Sequence, residues 1–336
     1  MTKCLSRVGY AVGALALLLI IAIASPVSAQ QPSSVNPTAS SVKEQQLLEH
    51  LGKIQGRGSI PNMTSYTIEQ PAGREWRFFH EVILRWIGAI VLIGMLALLA
   101  IFYLIRGKVK IAAGRSGRTI VRFDILERTV HWMTAISFVV LAISGLNITF
   151  GKSLILPLVG PETFTDLSIA FKYAHNFLSF PFTIGVVCMF FLWVKDNIPD
   201  RADIDWLKAG GGIIGENRPP AGHFNAGQKG IFWIVVLGGA NMAISGYMLI
   251  FPFYVTNITG MQWAEIFHGV VSVLLIAAIF SHIYIGTLGM EGAFDAMGSG
   301  EVDLNWAKEH HRLWVEQEMG GKTTASGAKP RMTPAE

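Results

Sequence analysis

The chain has 336 residues, of which 51% are hydrophobic and 15% are charged. A soluble domain carries about 25% charged residues, so this composition excludes an ordinary soluble protein and indicates one that lies in a membrane. The formal net charge is +4, and the two cysteines are Cys4 and Cys188. Since the sequence has no C-x-x-C-H motif and no cysteine/histidine cluster, any redox centre has to be held by histidines.

Residues 1–29 have the layout of a cleaved signal peptide. Lys3 and Arg7 precede the apolar run AVGALALLLIIAIA, and the small-residue sequence VSA ends at Ala29. An uncleaved anchor helix is the alternative, but the apolar run is short and the small-residue site is well placed. Residues 30–80 are rich in Pro, Gly, Ser and Gln, and we expect them to form an exported, loosely ordered segment.

Five apolar segments follow, each near the length of about twenty residues that crosses a bilayer as a helix. They span about residues 82–105, 131–150, 175–194, 231–250 and 267–288. Lys and Arg number seven in residues 106–130 and five in 195–229, against two in 151–174 and none in 251–266. Because basic loops stay in the cytoplasm, we expect the two basic loops and the C-terminus inside and the mature N-terminus outside.

Four histidines fall at matching depths on this topology. His131 opens the second span on the inner side, and His175 opens the third on the outer side. His268 and His282 lie near the outer and inner ends of the fifth span, about 21 Å apart along the helix and about 40° apart around it. Depth therefore pairs His175 with His268, and His131 with His282, on neighbouring antiparallel helices.

Two pairs of imidazoles fit two b-type haems, because haem is flat and apolar and its iron takes one axial nitrogen from each side. With both axial positions filled, the iron has no open site for substrate and only transfers electrons. A single histidine in a span, taken alone, is a hydrogen-bonded core residue about as often as it is a ligand. A proton relay is a further alternative, although relays commonly include Asp or Glu. The remaining histidines are interpreted as exported-segment, interface, loop or tail residues: His50, His80, His223, His310 and His311.

The second and fourth spans share a short repeat, LAISGLNI at 141–148 and MAISGYML at 242–249. Each copy places Ser-Gly near the outer end of its span. Small residues let helices or a macrocycle approach closely, and ordinary helix packing explains the repeat equally well.

Several longer motifs lie in and between the spans. They are VRFDILERTVHW (121–132), FKYAHNFLSF (171–180), DNIPDRADIDWL (196–207), FNAGQKGIFW (224–233), IFHGVVS and FSHIYIG in the fifth span, and WAKEHHRLWVEQE (306–318). On these motifs, the chain from about Val121 to Glu318 resembles the cytochrome b (gamma) subunit of membrane-bound, quinone-linked formate dehydrogenase. The joint presence of D-N-I-P-D, N-A-G-Q-K and W-A-x-x-H-H is more particular than any single haem-binding span.

The resemblance implies an all-α membrane protein. A four-helix di-haem cytochrome b bundle is expected over residues 121–318, with one extra N-terminal transmembrane helix over 81–106. A basic cytoplasmic linker over 107–120 would join them, and a disordered cytoplasmic tail is expected over 319–336. The part before about residue 120 departs from the shorter family members.

The resemblance also implies a set of site residues and gives the same four histidines as haem ligands. In the family, the NAGQK stretch lies beside the inner haem and helps shape a quinone pocket, which carries over to Asn225, Gly227 and Gln228 near His282. Asn and Gln amides offer donors to a quinone carbonyl, while Asn225 is also a good helix N-cap. A separate candidate is Arg128. It either pairs with a haem propionate or acts as a topology-setting charge.

The implied function is electron transfer in a complex. Two haem b groups would pass electrons from an iron–sulfur beta subunit to menaquinone or ubiquinone near the cytoplasmic side. A molybdenum- or tungsten-pterin alpha subunit would oxidise formate, and this chain would anchor the complex in the bacterial inner membrane without a formate site of its own. No nucleic-acid partner is expected.

Two alternatives stay open on the sequence. The nearer one is the cytochrome b subunit of another quinone-linked complex, such as uptake hydrogenase or thiosulfate reductase, which would keep the haems and change the electron donor. The other is of a different class, a haem-free membrane anchor or a proton-conducting protein, in which the histidines would bind no iron.

Overall fold

The computed structural model describes residues 73–211 and 219–325. The predicted signal peptide, His50 and the end of the C-terminal tail lie outside the described residues. The chain divides into two compact units. One comprises Arg74–Thr149 and Ala170–Glu336 and contains all the predicted site residues, whereas Phe150–Ile169 belong to the other.

The described part of the chain is built almost wholly from helices. They are α1 (Gly73–Phe78), α2 (Leu84–Arg106), α3 (Ile125–Leu154), α4 (Leu156–Val159), α5 (Pro161–Trp193), α6 (Arg201–Lys208), α7 (Ala226–Ile250), α8 (Ile258–Tyr284), α9 (Asp295–Gly298), α10 (Leu304–His310) and α11 (Arg312–Ala325). Two π-helical turns, Phe79–Ile83 and Ile285–Gly289, precede α2 and follow α8. The strands β1 (Thr119–Val121) and β2 (Glu301–Asp303) pair antiparallel.

Five of these helices, α2, α3, α5, α7 and α8, are long and apolar enough to cross a membrane. The predicted fold class, an all-α membrane protein with five spanning helices, is therefore confirmed for the described residues. Several helices begin earlier than predicted, because an apolar run marks only the part of a helix that lies in the bilayer. For example, α5 begins at Pro161, in the first-turn position that proline favours. At the other end of the chain, α11 continues to Ala325, beyond the boundary predicted at 318.

The extra helix α2 belongs to the same assembly as the other four, a point that the sequence left open. Helix α8 packs along both α7 and α2. A β-carbon at Gly269 would lie 2.6 Å from Leu84 Cδ2, so glycine permits the close approach of α2 to α8. Near the start of α8, His80 Nε2 lies 3.5 Å from Glu265 Oε1 and adds a polar contact between the two helices.

A folded cap joins the predicted linker to the segment after α8. Strand pairing sets Thr119 opposite Asp303, and the Ser116 amide donates to Asp303 Oδ2 at 2.8 Å. Side chains from the linker, from the ends of α5 and α7 and from α9 to α11 share one buried apolar cluster. The linker is therefore an ordered part of the protein and not a loose connection.

A buried guanidinium lies within this cap. Arg122 is only 4% exposed, and its Cζ lies 5.3, 5.6 and 5.0 Å from the ring centres of Phe123, Trp306 and Trp314. Burial lowers the pKa of Arg122 to about 9, while the charge of Glu127 opposes this shift. Aromatic rings thus stabilise a cation that water does not reach.

Two histidines also lie in the cap, and the structure corrects the exposure that their loop and tail positions imply. His223 stacks on Trp314 at 5.6 Å, and His311 is fully buried and donates from Nδ1 to the Gly222 carbonyl at 2.9 Å. Burial lowers the pKa of both imidazoles, and the nearby charge of Arg122 lowers it further. Both side chains are therefore neutral parts of the cap interior at neutral pH.

Candidate functional site

The structure brings the four predicted histidines together in the expected pairs. The ring centres of His175 on α5 and His268 on α8 lie 6.2 Å apart. Those of His131 on α3 and His282 on α8 lie 6.1 Å apart. One helix, α8, therefore supplies one imidazole to each pair. The binding of haem iron by these pairs stays a prediction.

The helices of the two pairs differ in direction. Successive spans alternate, so α3 and α8 run in opposite directions, whereas α5 and α8 are separated by α7 and run in the same direction. The prediction of antiparallel helices is therefore right for the pair His131/His282 and wrong for the pair His175/His268.

The Ser-Gly repeat lies against the pair His175/His268, which is called the outer pair after the predicted orientation; His131/His282 is the inner pair. Ser144 Oγ is 2.8 Å from His175 Nδ1, and Ser245 Oγ is 3.0 Å from His268 Nδ1. Each hydroxyl already donates its hydrogen to the carbonyl one turn earlier, that of Val140 or of Asn241, at 2.7 Å. Each serine must therefore accept from Nδ1–H, which leaves the lone pair of each imidazole on Nε2, as a metal ligand requires.

The inner pair is held differently. His131 Nδ1 is buried and has no hydrogen-bond partner among the described residues. Because a hydrogen bond at the second ring nitrogen raises the basicity of a ligating imidazole, His131 lacks a support that both outer histidines have.

The spacing of both pairs would suit a haem iron held between the two imidazoles. Metal–imidazole bonds are about 2 Å long, and about 1.1 Å separates each nitrogen from its ring centre, so two opposed axial imidazoles have centres about 6.2 Å apart. The observed separations are 6.1 and 6.2 Å. Within the described residues, no third His, Cys, Asp or Glu joins either pair to complete a protein-only metal site. Among the described helices, the backbone of α8 lies closest to those of α7 and α2, and α3 and α5 stand farther from it.

The predicted quinone residues Asn225 and Gln228 form a capping box at the start of α7. Asn225 Oδ1 accepts from the Gln228 amide at 3.0 Å, and Gln228 Oε1 accepts from the Asn225 amide at 3.1 Å. The N-cap interpretation of Asn225 is thus confirmed. Each side chain uses its oxygen in the cap, so the NH₂ group of each amide keeps two donors for another partner.

Lys229, the last residue of N-A-G-Q-K, connects this motif to the DNIPDRADIDWL motif by ion pairs. Lys229 is buried, and its Nζ lies 2.9 Å from Asp203 Oδ2 and 3.0 Å from Asp200 Oδ2. Although burial raises the pKa of Asp200, bonds from Lys229 and from backbone amides outweigh it and lower that pKa. Lys229 was not predicted as a site residue. From the sequence, it was counted only among the basic residues of the loop before the fourth span.

Packing explains two further predicted residues. A β-carbon at Gly227 would lie 2.9 Å from Trp206 Cη2, so glycine at this position lets the indole of α6 lie against α7. Arg128 donates to the carbonyl oxygens of Met297 and Gly298, which holds the turn of α9 against α3. A propionate contact of Arg128 and a quinone contact of Gly227 stay predictions.

We expect the serine contacts to set the redox potential of one centre only. Removing the hydroxyl in Ser144→Ala or Ser245→Ala should weaken a hydrogen bond of about 1 kcal/mol and make the imidazole a poorer donor to iron. The midpoint potential of the outer centre should then rise by about 40 mV, since about 59 mV corresponds to a tenfold change for one electron. Redox titration followed by visible absorbance measures the shift.

Ser272→Ala provides the matched control for this experiment, because Ser272 lies on α8 but donates to the Gly269 carbonyl. It should leave both potentials unchanged. Equal shifts in the serine variants and in the control would contradict a specific role for Ser144 and Ser245.

Comparison with known proteins agrees with this geometry. Residues 122–300 match the family described as prokaryotic cytochrome b561. The chain is 31% identical over 203 residues to the formate dehydrogenase cytochrome b556(fdo) subunit of Escherichia coli K12. This alignment covers 59% of this chain and 93% of the relative. It is 27% identical over 205 residues to the nitrate-inducible cytochrome b556(Fdn) subunit of the same organism, with 60% and 92% covered. For the formate dehydrogenase cytochrome b556 subunit of Haemophilus influenzae, the identity is 26% over 209 residues, with 60% and 85% covered.

The matched region contains all four paired histidines, the Ser-Gly repeat and the capping box, whereas α2 and the linker lie before it. A family of this kind consists of helical membrane proteins that bind haem b and transfer electrons. The chain therefore belongs to the prokaryotic cytochrome b561 family, together with the cytochrome b556 subunits of formate dehydrogenase.

Proposed function

We propose that this chain is the di-haem cytochrome b subunit of a membrane-bound formate dehydrogenase. The observation that carries the proposal is the pair of imidazole pairs, with ring centres 6.1 and 6.2 Å apart, arranged along the single helix α8. His175 and His268 would hold the outer haem, and His131 and His282 the inner one. When bound, the haems supply one-electron transfer between the two sides of the membrane.

Residues of this chain would orient the imidazoles and bind the quinone. Ser144 and Ser245 orient the outer imidazoles. At the inner side, the free amide groups of Asn225 and Gln228 would donate to a quinone carbonyl. The chain would accept electrons on the outer side from an iron–sulfur subunit, supplied in turn by a molybdenum or tungsten subunit that oxidises formate. The reduction of quinone would be the part of the reaction that belongs to this chain.

The charge pattern supports the orientation. Residues 106–130 and 195–229 carry twelve Lys and Arg residues, against two in residues 151–174 and none in residues 251–266, which favours a cytoplasmic position for the two basic loops. We therefore infer that the protein lies in the bacterial inner membrane, with its C-terminus in the cytoplasm and the start of its first spanning helix on the periplasmic side. The exchange with quinone would then take its protons from the cytoplasm.

Two isosteric substitutions test the quinone role apart from the capping role. Asn225→Asp and Gln228→Glu keep the side-chain oxygens that form the capping box but remove the amide donors. In the purified complex, we expect formate to reduce the haems at the normal rate and quinone to reoxidise them at least about tenfold more slowly, as for one lost bond to a reacting carbonyl. Stopped-flow absorbance in the haem bands separates the two steps.

Asn257→Asp is the control, because Asn257 caps α8 in the same way but at the opposite end of the bundle. It should leave quinone reoxidation unchanged. Normal reoxidation in both of the other variants would refute a quinone site at Asn225 and Gln228. A purified complex without haem absorbance, or one with a hydrogenase in place of a formate-oxidising subunit, would refute the wider proposal.

A further inference from the structure

A cationic cleft opens where α2 ends. It has a volume of about 670 Å³ and is lined by basic side chains from two stretches that are far apart in the sequence. They are Arg106, Lys108, Lys110, Lys308 and Arg312, with Glu309 as the one carboxylate among the lining residues. Both stretches lie outside the region 122–300 that matches the cytochrome b561 family.

Backbone hydrogen bonds hold the walls of this cleft in place. Gly107 ends α2 with a φ of +65°, a conformation that favours glycine. Val109 then pairs with the π-helical turn after α8, since its amide donates to the Gly289 carbonyl at 2.8 Å. On the opposite wall, Glu309 Oε2 accepts from the Ala112 amide at 2.9 Å. The lysines thus project from an ordered backbone.

Positive charge exceeds negative charge in the cleft. Neither Lys108 nor Lys308 has a carboxylate partner in the part of the chain that the structure describes. Arg312 Nε lies 3.6 Å from Glu316 Oε1, and both of these side chains are exposed. Basic residues at the end of a span are ordinarily topology signals. A topology signal depends on the number of charges and does not require two distant stretches to converge on one cavity. Convergent lysine and arginine side chains are typical of a site for phosphate.

The surface beside the cleft favours a lipid over a soluble anion. Leu104 and Ile105, the last apolar residues of α2, are 83% and 81% exposed, and Ile101, one turn earlier, is 55% exposed. An apolar helix surface therefore leads directly into the cationic cleft. We propose that the cleft binds the phosphate headgroup of an anionic phospholipid, whose acyl chains lie along the exposed face of α2.

Lipid binding to the purified full-length protein tests this site. Native mass spectrometry in detergent compares dioleoylphosphatidylglycerol with dioleoylphosphatidylcholine. The variant Lys108→Gln/Lys308→Gln should bind phosphatidylglycerol at least about tenfold more weakly, since each basic residue near a headgroup contributes a factor of about five. The matched control, Lys195→Gln/Lys208→Gln, removes two exposed lysines outside the cleft and should bind like the parent protein.

Salt dependence gives a second measurement that needs no variant. The affinity of the parent protein for phosphatidylglycerol should fall as potassium chloride is raised, while binding of phosphatidylcholine should not change. Equal binding of the two lipids, or equal loss in both double variants, would overturn the proposal. Displacement of the lipid by millimolar inorganic phosphate would assign the cleft to a soluble anion. Cleft-dependent capture of an acidic protein segment with unchanged lipid binding would overturn it as well.

Discussion

Replacing His175 and His268 together by alanine is expected to lower the haem content of the purified protein from two per chain to one. Each substitution would remove an imidazole that we propose to bind the same haem iron, and alanine offers no atom that replaces an imidazole nitrogen. The pair His131/His282 lies on the same α8 helix but at its other end, so its haem should stay bound. The pyridine haemochrome assay, calibrated against protein concentration, measures the ratio.

The complementary double variant, His131→Ala/His282→Ala, should remove the other haem. The two half-loaded proteins should then differ in midpoint potential, because in the described part of the chain serine hydroxyls contact the outer imidazoles, whereas His131 Nδ1 has no hydrogen-bond partner there. His80→Ala is the control for histidine loss as such, since His80 contacts Glu265 and belongs to neither pair. Two haems retained after loss of His175 and His268 would show that the pairs do not ligate iron as proposed.

Lys229→Met is expected to destabilise the protein by about 3 kcal/mol, as for a buried ion pair that loses one partner. The lysine side chain is 7% exposed, and the side chain of Asp203 is 12% exposed, so the substitution leaves a carboxylate without its cation and away from water. The side chain of Asp200 is 57% exposed, so loss of its ion pair with Lys229 should contribute little to the destabilisation. The temperature at which haem absorbance is lost in detergent measures the effect.

A second substitution separates charge from packing in this network. Asp203→Asn keeps the oxygen that accepts from the Asp200 amide but removes the negative charge. Lys229→Met with Asp203→Asn should therefore recover much of the stability that Lys229→Met loses. Lys208→Met, at an exposed lysine on the same side of the bundle, should cost less than about 0.5 kcal/mol. Equal melting temperatures for Lys229→Met and Lys208→Met would contradict a buried network.

The spanning helices were predictable because a bilayer imposes length and apolarity on a single stretch of chain. The cap was not predictable. Its contacts join residues that are about a hundred or more positions apart, such as Arg122 with the carbonyl of His223 and Ala112 with Glu309. Composition and periodicity describe neighbours along the chain, so they predicted only a basic cytoplasmic linker over residues 107–120. Burial of Arg122 between aromatic rings follows only from the tertiary arrangement.

The paired histidines were predictable for a related reason. Depth in the membrane and direction around one helix follow from counting residues, and these two coordinates suffice to pair four imidazoles. The hydroxyl contacts of Ser144 and Ser245 depend on how α3 and α7 are rotated against their neighbours, which counting does not supply. Their repeated A-I-S-G sequence was visible, but packing alone explained it equally well. For Lys229, the link between two motifs required knowing that α6 lies against α7.

His268 and His282 lie on one continuous helix, so the number of residues in the stretch between them sets the distance and the angle between the two rings. One residue added to or removed from that stretch would swing one ring about 100° away from its partner and slide it about 1.5 Å. A whole added turn would nearly restore the direction but would lift the ring by about 5.4 Å. The spacing of the two pairs therefore fixes the number of residues in this stretch.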